Sequence, residues 1–244
     1  MSKNHILMTG ASSAIGREII KQIADDATVI LAHYHARLEP LKKLMAEVPC
    51  RIIPIQADLS TEQGILSLIQ KTASQCEAPG KIVLLAAPRL TLAGFKDLSW
   101  EDFRFHSEMP VRTAVTLLTH FLPQMAKSGY GRVVFMLSSV VLGVPPSSMA
   151  HYVTAKHALL GLMRALAGEY ASTGITVNAI APSMVETGFL AGIPEKLVEL
   201  SAQAHPLKRN ATPADIAPIV KCVLSDEAGY LTGATIPVTG GVQF

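Results

Sequence analysis

A tyrosine and a lysine four residues apart, with a serine upstream, form the part of this sequence best suited to acid–base chemistry. Tyr152 and Lys156 lie in a helical pattern, where a spacing of four places two side chains on one face with Cβ atoms about 5–6 Å apart. A phenol normally keeps its proton up to about pH 10, and a nearby ammonium lowers that pKa. Ser139, which follows an apolar run, could hold a substrate oxygen beside the phenol. The set predicts protonation of a carbonyl oxygen while hydride reaches the carbonyl carbon.

A Tyr/Lys pair also occurs by chance on exposed helices, so its meaning depends on the elements that position it. Seven apolar runs cover 5–8, 28–32, 52–55, 82–86, 133–137, 175–180 and 234–238, and helical patterns cover 15–24, 38–47, 61–76, 100–127, 152–171 and 213–225. Continuous apolar strands separated by helices predict a parallel sheet that is buried on both faces. We therefore expect one α/β domain over residues 1–244, a Rossmann-type doubly wound sheet of about seven strands with helices on both faces.

Composition excludes several classes of function. The net charge of the 244-residue chain is +2, without a basic or acidic block, which argues against nucleic-acid binding and against a polybasic membrane contact. No apolar stretch reaches the length of a membrane span, and no signal peptide is expected. The three cysteines are scattered and odd in number, as in a reduced, cytoplasmic protein. The low charged fraction, 16%, suggests additional burial through oligomerisation.

The first apolar run leads into a turn of small residues, Thr9-Gly10-Ala11-Ser12-Ser13-Ala14-Ile15-Gly16. Small residues between a strand and a helix allow the backbone to approach a pyrophosphate, which the helix N-terminus stabilises. A tight strand–helix turn without a ligand is the alternative. A second candidate binding segment covers 183–210, which follows a strand end and is rich in Gly, Pro, Ala and Ser. It predicts a substrate lid.

The end of the second strand bears on the choice of cofactor. Enzymes that prefer NAD usually place a carboxylate there for the ribose 2′-hydroxyl, but the first acid here is Glu39. Arg37 and the two histidines before it would accept a 2′-phosphate, which favours NADP. His33 and His35 share one face of the strand and could suggest a metal. One packed and one exposed histidine is the alternative that we favour, and no metal site is assigned.

With these features together, the chain resembles the short-chain dehydrogenase/reductase family over nearly its whole length. The motifs that carry the resemblance are the Thr-Gly-x-x-x-x-Ile-Gly turn, Asp58, Ser139, Tyr152, Lys156, the segment 177–182, Thr187, Thr232-Gly233 and Gly240-Gly241. Within the family it is most similar to the 3-oxoacyl-[acyl-carrier-protein] reductases, because His205-Pro206-Leu207-Lys208-Arg209 and the segment 213–217 are similar to the segment after their lid.

The resemblance implies a role for each matching residue. Tyr152 would be the general acid, Lys156 would lower its pKa and bind the nicotinamide ribose, and Ser139 would orient the carbonyl. Asp58 would bind the adenine amino group, although it could instead belong to the start of the next helix. Thr187 would bind the nicotinamide carboxamide or serve only as a loop hydroxyl. The other implied cofactor contacts are Gly10, Ser12, Ser13, Ile15, Gly16, Arg37, Leu59, Ala86 and Pro182.

The chain also departs from the family pattern. Ala14 stands where the family has a second glycine, and Leu85-Ala86-Ala87-Pro88 replaces Asn-Asn-Ala-Gly after the fourth strand. Pro110 stands where a catalytic asparagine is expected, and it should kink or interrupt its helix. Ser183 replaces the glycine after Pro182. These changes lie around the predicted acid–base residues and leave those residues intact.

The resulting hypothesis is an NADPH-dependent carbonyl reductase of fatty acid biosynthesis that acts on a 3-oxoacyl thioester, linked to CoA or an acyl carrier protein. An NAD(P)-dependent alcohol dehydrogenase for a small or cyclic alcohol is one alternative, and a low-activity binding or scaffold subunit is another. The resemblance implies a homotetramer. We expect apolar residues left exposed on the fourth and fifth helices to form one interface, and residues 238–244 to form a second.

Overall fold

A computed structural model describes residues 2–243 and shows a seven-stranded parallel sheet in the order β3-β2-β1-β4-β5-β6-β7. The strands are β1 Ser2–Thr9, β2 Val29–Tyr34, β3 Arg51–Gln56, β4 Pro79–Leu84, β5 Gly131–Met136, β6 Ile175–Pro182 and β7 Thr235–Val238. The order reverses between β1 and β4, so the loops that follow these strands diverge to opposite sides. Such a point leaves a crevice at the carboxyl ends of the strands, where doubly wound folds bind ligands.

Helices cover both faces of the sheet. They are α1 Ala14–Ile23, α2 Glu39–Glu47, α3 Glu62–Ala73, α4 Trp100–Lys127, α5 Ala150–Tyr170, α6 Glu195–Ala204 and α7 Pro213–Leu224. The helices α3, α4 and α5 pack on one face, and α1, α2 and α7 pack on the other. The central strands β5 and β6 are buried along their whole lengths, as continuous apolar runs require. The predicted fold is confirmed.

The long helix α4 continues through Pro110, so of the two predicted effects of this proline, a kink or an interruption, the interruption does not occur. It runs for 28 residues through both Pro110 and Pro123. A proline inside a helix removes one backbone hydrogen bond, and two features of α4 offset that loss. Its N-terminus has a complete capping box between Ser99 and Asp102, and its apolar face from Ala114 to Met125 is buried. Packing on the sheet therefore holds the helix together across the proline.

The outer faces of α4 and α5 are less apolar than expected. Most of the large apolar side chains of these helices are buried within the chain, on the sheet or between the two helices. Val115 is 44% exposed, and Leu162 and Leu166 are half-buried. Few apolar side chains of the two helices therefore remain exposed from Val115 onward, whereas Trp100 and Phe105 in the first turns of α4 are 77% and 60% exposed. Within residues 2–243, the helices are all too short or too polar to cross a lipid bilayer.

The segment 183–210 contains regular structure. A 3₁₀ helix covers Gly188–Gly192, and α6 follows it. Backbone pairing between Val185 and Ala211 joins the two ends of the segment. The segment therefore forms a loop with close ends that projects over the carboxyl edge of β6.

Candidate active site

A cleft of about 1180 Å³ lies at the carboxyl ends of the strands, between the turn after β1, the ends of β4, β5 and β6, and the segment 183–210. It brings together nearly all of the residues that the sequence singled out. Those lining it are Gly10, Ser12, Ser13, Ile15, Arg37, Asp58, Leu59, Ala86, Ser139, Tyr152, Lys156, Pro182 and Thr187. Gly16 is the exception, because it is buried behind the turn, where an added Cβ would lie 2.7 Å from the Ala11 carbonyl oxygen.

The turn after β1 has the geometry of an anion-binding turn. Gly10 has φ of +69°, and a Cβ there would lie 3.1 Å from the backbone of Ala86, so glycine is required on both grounds. Ser13 caps α1 by accepting a hydrogen bond from the Gly16 amide at 3.0 Å. The cap places the N-terminus of α1, with its partial positive charge, at the cleft.

His33 connects this turn to the loop after β3. The Gly10 amide donates to His33 Nδ1 at 3.0 Å, so the ring carries its proton on Nε2, which lies 3.1 Å from the Ala57 carbonyl oxygen. Burial lowers the pKa of His33 to about 4, and the hydrogen bond to Ala57 opposes this. His33 is buried and His35 is exposed, so the packed-and-exposed alternative describes the pair.

The rim beside His33 is polar and open to solvent. His35 and Arg37 are both exposed and line the cleft. Asp58 accepts two hydrogen bonds at Oδ1 from the amide and hydroxyl of Ser60, and these lower the pKa of its carboxyl. Asp58 thus supports the turn before α3, whose N-cap is Thr61. Asp58 also lines the cleft, so its carboxylate is placed where it could bind the adenine amino group as well.

The loop after β4 is held by a residue of the glycine turn whose role the sequence analysis did not assign. Thr9, buried at the end of β1, accepts hydrogen bonds at Oγ1 from the amides of Leu85 and Ala86, at 3.0 and 3.1 Å. These bonds join the two loops at the point where the strand order reverses. The loop 85–88 therefore has a defined position, although it lacks the asparagines expected from the family.

Tyr152 and Lys156 lie side by side in the first two turns of α5. They are 8% and 6% exposed, respectively. The Lys156 ammonium donates to the Met136 carbonyl oxygen at 2.8 Å and lies 5.6 Å from the centre of the Tyr152 ring. The carboxyl end of β5 therefore anchors the lysine beneath the tyrosine.

The ionisation of this pair differs from the prediction. Burial raises the pKa of Tyr152 to about 12, and a hydrogen bond with Ser138 acts in the opposite direction. Burial lowers the pKa of Lys156 to about 8. Desolvation disfavours the charged form of each group, and here it outweighs the expected effect of the ammonium on the phenol. Tyr152 therefore carries its proton at neutral pH, as a general acid must.

Ser138 is a second candidate for the substrate-orienting hydroxyl. It follows β5 in an extended conformation, whereas Ser139 begins the 3₁₀ helix Ser139–Val141. Both serines line the cleft, and Ser138 is the one that forms a hydrogen bond with Tyr152. The sequence analysis selected Ser139 as the serine that follows the apolar run, but Ser138 is the first residue after the last apolar position of that run, Leu137. That signal was present in the sequence.

Polar contacts within the segment 183–210 fix its shape beside the cleft. Thr187 accepts a hydrogen bond from the Phe189 amide at 3.3 Å and caps the 3₁₀ helix, so the loop-hydroxyl role is present in addition to its place in the cleft. His205 Nδ1 donates to the Ser201 carbonyl oxygen at 2.7 Å. Its Nε2 accordingly accepts from the Ser183 hydroxyl at 3.1 Å, which joins the end of α6 to the end of β6.

The wall around Tyr152 is apolar. Leu90, Val140 and Ile193 form a buried cluster with the Tyr152 ring, and Met149, Phe189 and Leu190 pack against it. Several of these residues line the cleft. A carbonyl compound bound here would place its oxygen near the phenol and the serine hydroxyls and its apolar part against this wall.

Comparison with known proteins agrees with this geometry. The family model described as Enoyl-(Acyl carrier protein) reductase matches residues 10–243. The chain is 32% identical to Oxidoreductase UcpA of Salmonella typhimurium, over 96% of this chain and 92% of that protein. It is 31% identical to 3-oxoacyl-[acyl-carrier-protein] reductase FabG of Staphylococcus aureus, over 97% and 96%.

Among solved structures, a putative NAD(P) dependent gluconate 5-dehydrogenase from Beutenbergia cavernae with bound NADP is 29% identical. It superimposes with a TM-score of 0.87, covering 99% of this chain and 97% of that one. The similarity extends over the whole fold, including the elements that line the cleft.

Proposed function

The chain belongs to the short-chain dehydrogenase/reductase family, and from that premise we propose that it is an NADPH-dependent reductase of 3-oxoacyl thioesters. The substrate would be linked to CoA or an acyl carrier protein, and the product would be the 3-hydroxyacyl form. The observation that carries the proposal is the buried pair of Tyr152 and Lys156 in a cleft with an apolar wall. The FabG relative supports the choice of substrate class.

The cleft fits a dinucleotide. A Cβ at Gly10 would crowd the backbone of Ala86 at 3.1 Å, and the capped N-terminus of α1 suits a pyrophosphate. His35 and Arg37 provide a rim that suits a 2′-phosphate, and β2 itself ends without a carboxylate. A relative structure carries NADP, which supports the same choice. The other proposed cofactor contacts are Ser12, Ser13, Ile15, Asp58, Leu59, Ala86, Lys156, Pro182 and Thr187.

The proposed mechanism divides the reaction between the cofactor and the chain. A bound nicotinamide cofactor supplies the hydride. Ser138 and Ser139 offer hydroxyls that orient the substrate carbonyl, and Tyr152 holds the proton for its oxygen. The raised pKa of Tyr152, about 12, keeps that proton in place until negative charge develops on the substrate oxygen. Lys156 lies beneath the phenol and favours its anionic form once the proton has left.

Oxidation of NADPH tests the proposal. We expect the purified protein to oxidise NADPH with acetoacetyl-CoA as substrate, faster than with simple or cyclic ketones. Faster turnover of a cyclic ketone, or of its alcohol in the reverse direction, would favour the alcohol dehydrogenase alternative. Turnover with none of these substrates, despite NADPH binding, would favour a binding or scaffold subunit.

We also propose that the enzyme is a cytoplasmic homotetramer and that the segment 183–210 is a substrate lid. The lid is supported by Thr187, Phe189 and His205, which line the cleft from this segment. The tetramer is supported by the family resemblance and by the exposed Val115 on α4. Light scattering tests the assembly: a stable species of 26.0 kDa, the mass of one chain, would rule it out.

A further inference from the structure

Three polar side chains meet behind Tyr152, where an exposed threonine covers two buried histidines. Thr91 lies in the loop after β4, His106 lies on α4, and His151 lies in the first turn of α5. The Thr91 hydroxyl oxygen is 3.3 Å from His106 Nε2 and 3.2 Å from His151 Nε2. His106 is 2% exposed and His151 is fully buried. One hydroxyl thus joins three separate segments of the chain.

The contacts restrict where each ring carries its proton. A hydroxyl has one proton and two lone pairs, so it can donate to at most one of the two ring nitrogens. The Thr91 carbonyl also accepts a hydrogen bond from His151, and a carbonyl can only accept. Because His151 Nδ1 has no hydrogen-bond partner among the described residues, we assign the His151 proton to Nε2. We assign the Thr91 hydroxyl proton to the bond with His106 Nε2, which places the His106 proton on Nδ1, a buried atom that likewise has no partner among the described residues.

Both rings are neutral in this arrangement. Burial lowers the pKa of His106 to about 4, with His151 acting in the same direction and Asp102 opposing. Burial also lowers the pKa of His151, and Asp102 again opposes. Asp102 on α4 is the carboxylate that acts on the pair, α5 contributes the neutral Tyr152, and the loop contributes Thr91.

The cluster is in direct contact with the proposed acid. His151 immediately precedes Tyr152 in α5. The His106 ring lies edge-on to the Tyr152 ring at 6.4 Å between centres, and the two imidazole rings are 4.3 Å apart. We propose that Thr91, His106 and His151 are positioning residues, which lock the first turn of α5 to α4 and to the loop after β4 and so orient the Tyr152 phenol. This inference rests on the proposed role of Tyr152.

Protonation of the histidines at low pH should break the hydrogen bonds that join Thr91 to His106 and His151. A protonated ring has N–H groups on both nitrogens, so the Thr91 oxygen would face two donors and its own proton would lose its acceptor. The unfolded chain binds protons to these histidines below about pH 6.5, whereas folded His106 binds one only near pH 4. The contribution of the cluster is therefore complete above pH 6.5 and declines as the pH falls from there toward 4.

A matched pair of variants tests the positioning role. Thr91→Val keeps the shape of the side chain and removes the hydroxyl, whereas Thr91→Ser keeps the hydroxyl. We expect Thr91→Val to lower kcat on the order of 10-fold with little change in KM for NADPH, and to move the acid limb of the pH–kcat profile to higher pH. Thr91→Ser should stay within about twofold of the parent enzyme. His106→Leu should lower kcat and move the acid limb in the same way. It takes the place of Thr91→Val in the experiment if the Thr91→Val protein does not fold.

A second measurement does not depend on activity. The ¹⁵N chemical shifts of the histidine rings at pH 7 should show His151 protonated on Nε2 and His106 on Nδ1. An imidazolium in either ring at that pH, the same tautomer in both, or a Thr91→Val variant with unchanged kcat and pH profile would overturn the inference. If Tyr152→Phe kept its activity, the proposed function would fail while the ring tautomers could still be as assigned, so the two failures are distinguishable.

Discussion

The β2–β3 end of the cleft and its β5–α5 end are built in opposite ways. At the β2–β3 end, His35, Arg37 and Asp58 are exposed. Asp58 accepts two hydrogen bonds from Ser60 and lies 4.0 Å from His35. At the β5–α5 end, Tyr152 and Lys156 are buried, and burial determines the pKa of both. Exposed charges can be exchanged at little cost to the fold.

This difference in burial matches a difference in proposed role: the β2–β3 end selects the cofactor, and the β5–α5 end carries out the reaction. Solvent screens the charges of the β2–β3 end, so each one contributes modestly to cofactor choice. The β5–α5 end excludes water, so each polar group there has a larger effect on the reaction and a larger cost to stability. Substitutions at the β5–α5 end should therefore have large effects on kcat and stability, whereas substitutions at the β2–β3 end should have small effects on cofactor affinity.

The largest loss of kcat is expected from removal of the Tyr152 hydroxyl. Tyr152→Phe should lower kcat on the order of 100- to 10,000-fold, because the substrate oxygen loses its positioned acid. NADPH affinity should change little, since the ring remains. Stopped-flow NADPH oxidation and fluorescence titration measure the two quantities, and near-normal turnover would show that the mechanism is wrong.

The two serines at the end of β5 offer the next comparison. Ser138→Ala should lower kcat about 10- to 100-fold, because the hydroxyl that contacts Tyr152 is lost. Ser139→Ala, in the adjacent position, should cost about threefold or less if Ser138 is the orienting residue. A larger loss for Ser139→Ala would return that role to Ser139, as the sequence predicted.

Removal of the buried ammonium should strengthen the fold while it weakens function. Lys156→Met should raise the free energy of unfolding on the order of 1–3 kcal/mol at pH 7, since a charge no longer has to be desolvated. The wild-type lysine loses its proton near pH 8 when folded and near 10.5 when unfolded, so the gain should shrink as the pH rises between these values. Urea titration measures it. Lys127→Met, at an exposed position of α4, is the control and should change stability by about 0.5 kcal/mol or less.

The smallest effect is expected at the exposed rim. Arg37→Ala should weaken NADPH binding about 10-fold or less and leave NADH binding nearly unchanged, because only NADPH carries the 2′-phosphate and solvent screens the contact. Fluorescence titration with both cofactors measures the selectivity. Lys43→Ala, an exposed site on α2, serves as the control. Tighter binding of NADH than of NADPH by the parent protein would contradict the cofactor assignment.

The fold could be predicted from the sequence because its signals are local and repeated. Continuous apolar runs form strands that are buried on both faces, and the glycine turn places its helix at the end of the first strand. The candidate site was predictable to the extent that it uses residues at strand ends and one helix face. Gly10, Tyr152 and Lys156 all belong to such patterns.

Several features depended on the tertiary structure, because they arise from segments distant in the chain. The burial that raises the pKa of Tyr152, the two amides bound by Thr9, and the continuity of α4 through Pro110 each depend on packing. The same holds for the meeting of Thr91, His106 and His151, which lie up to 60 residues apart. The sequence determined which groups the chain carries and the order of its elements. Only the folded chain determined which groups lose their water, because desolvation is a property of all the neighbours at once.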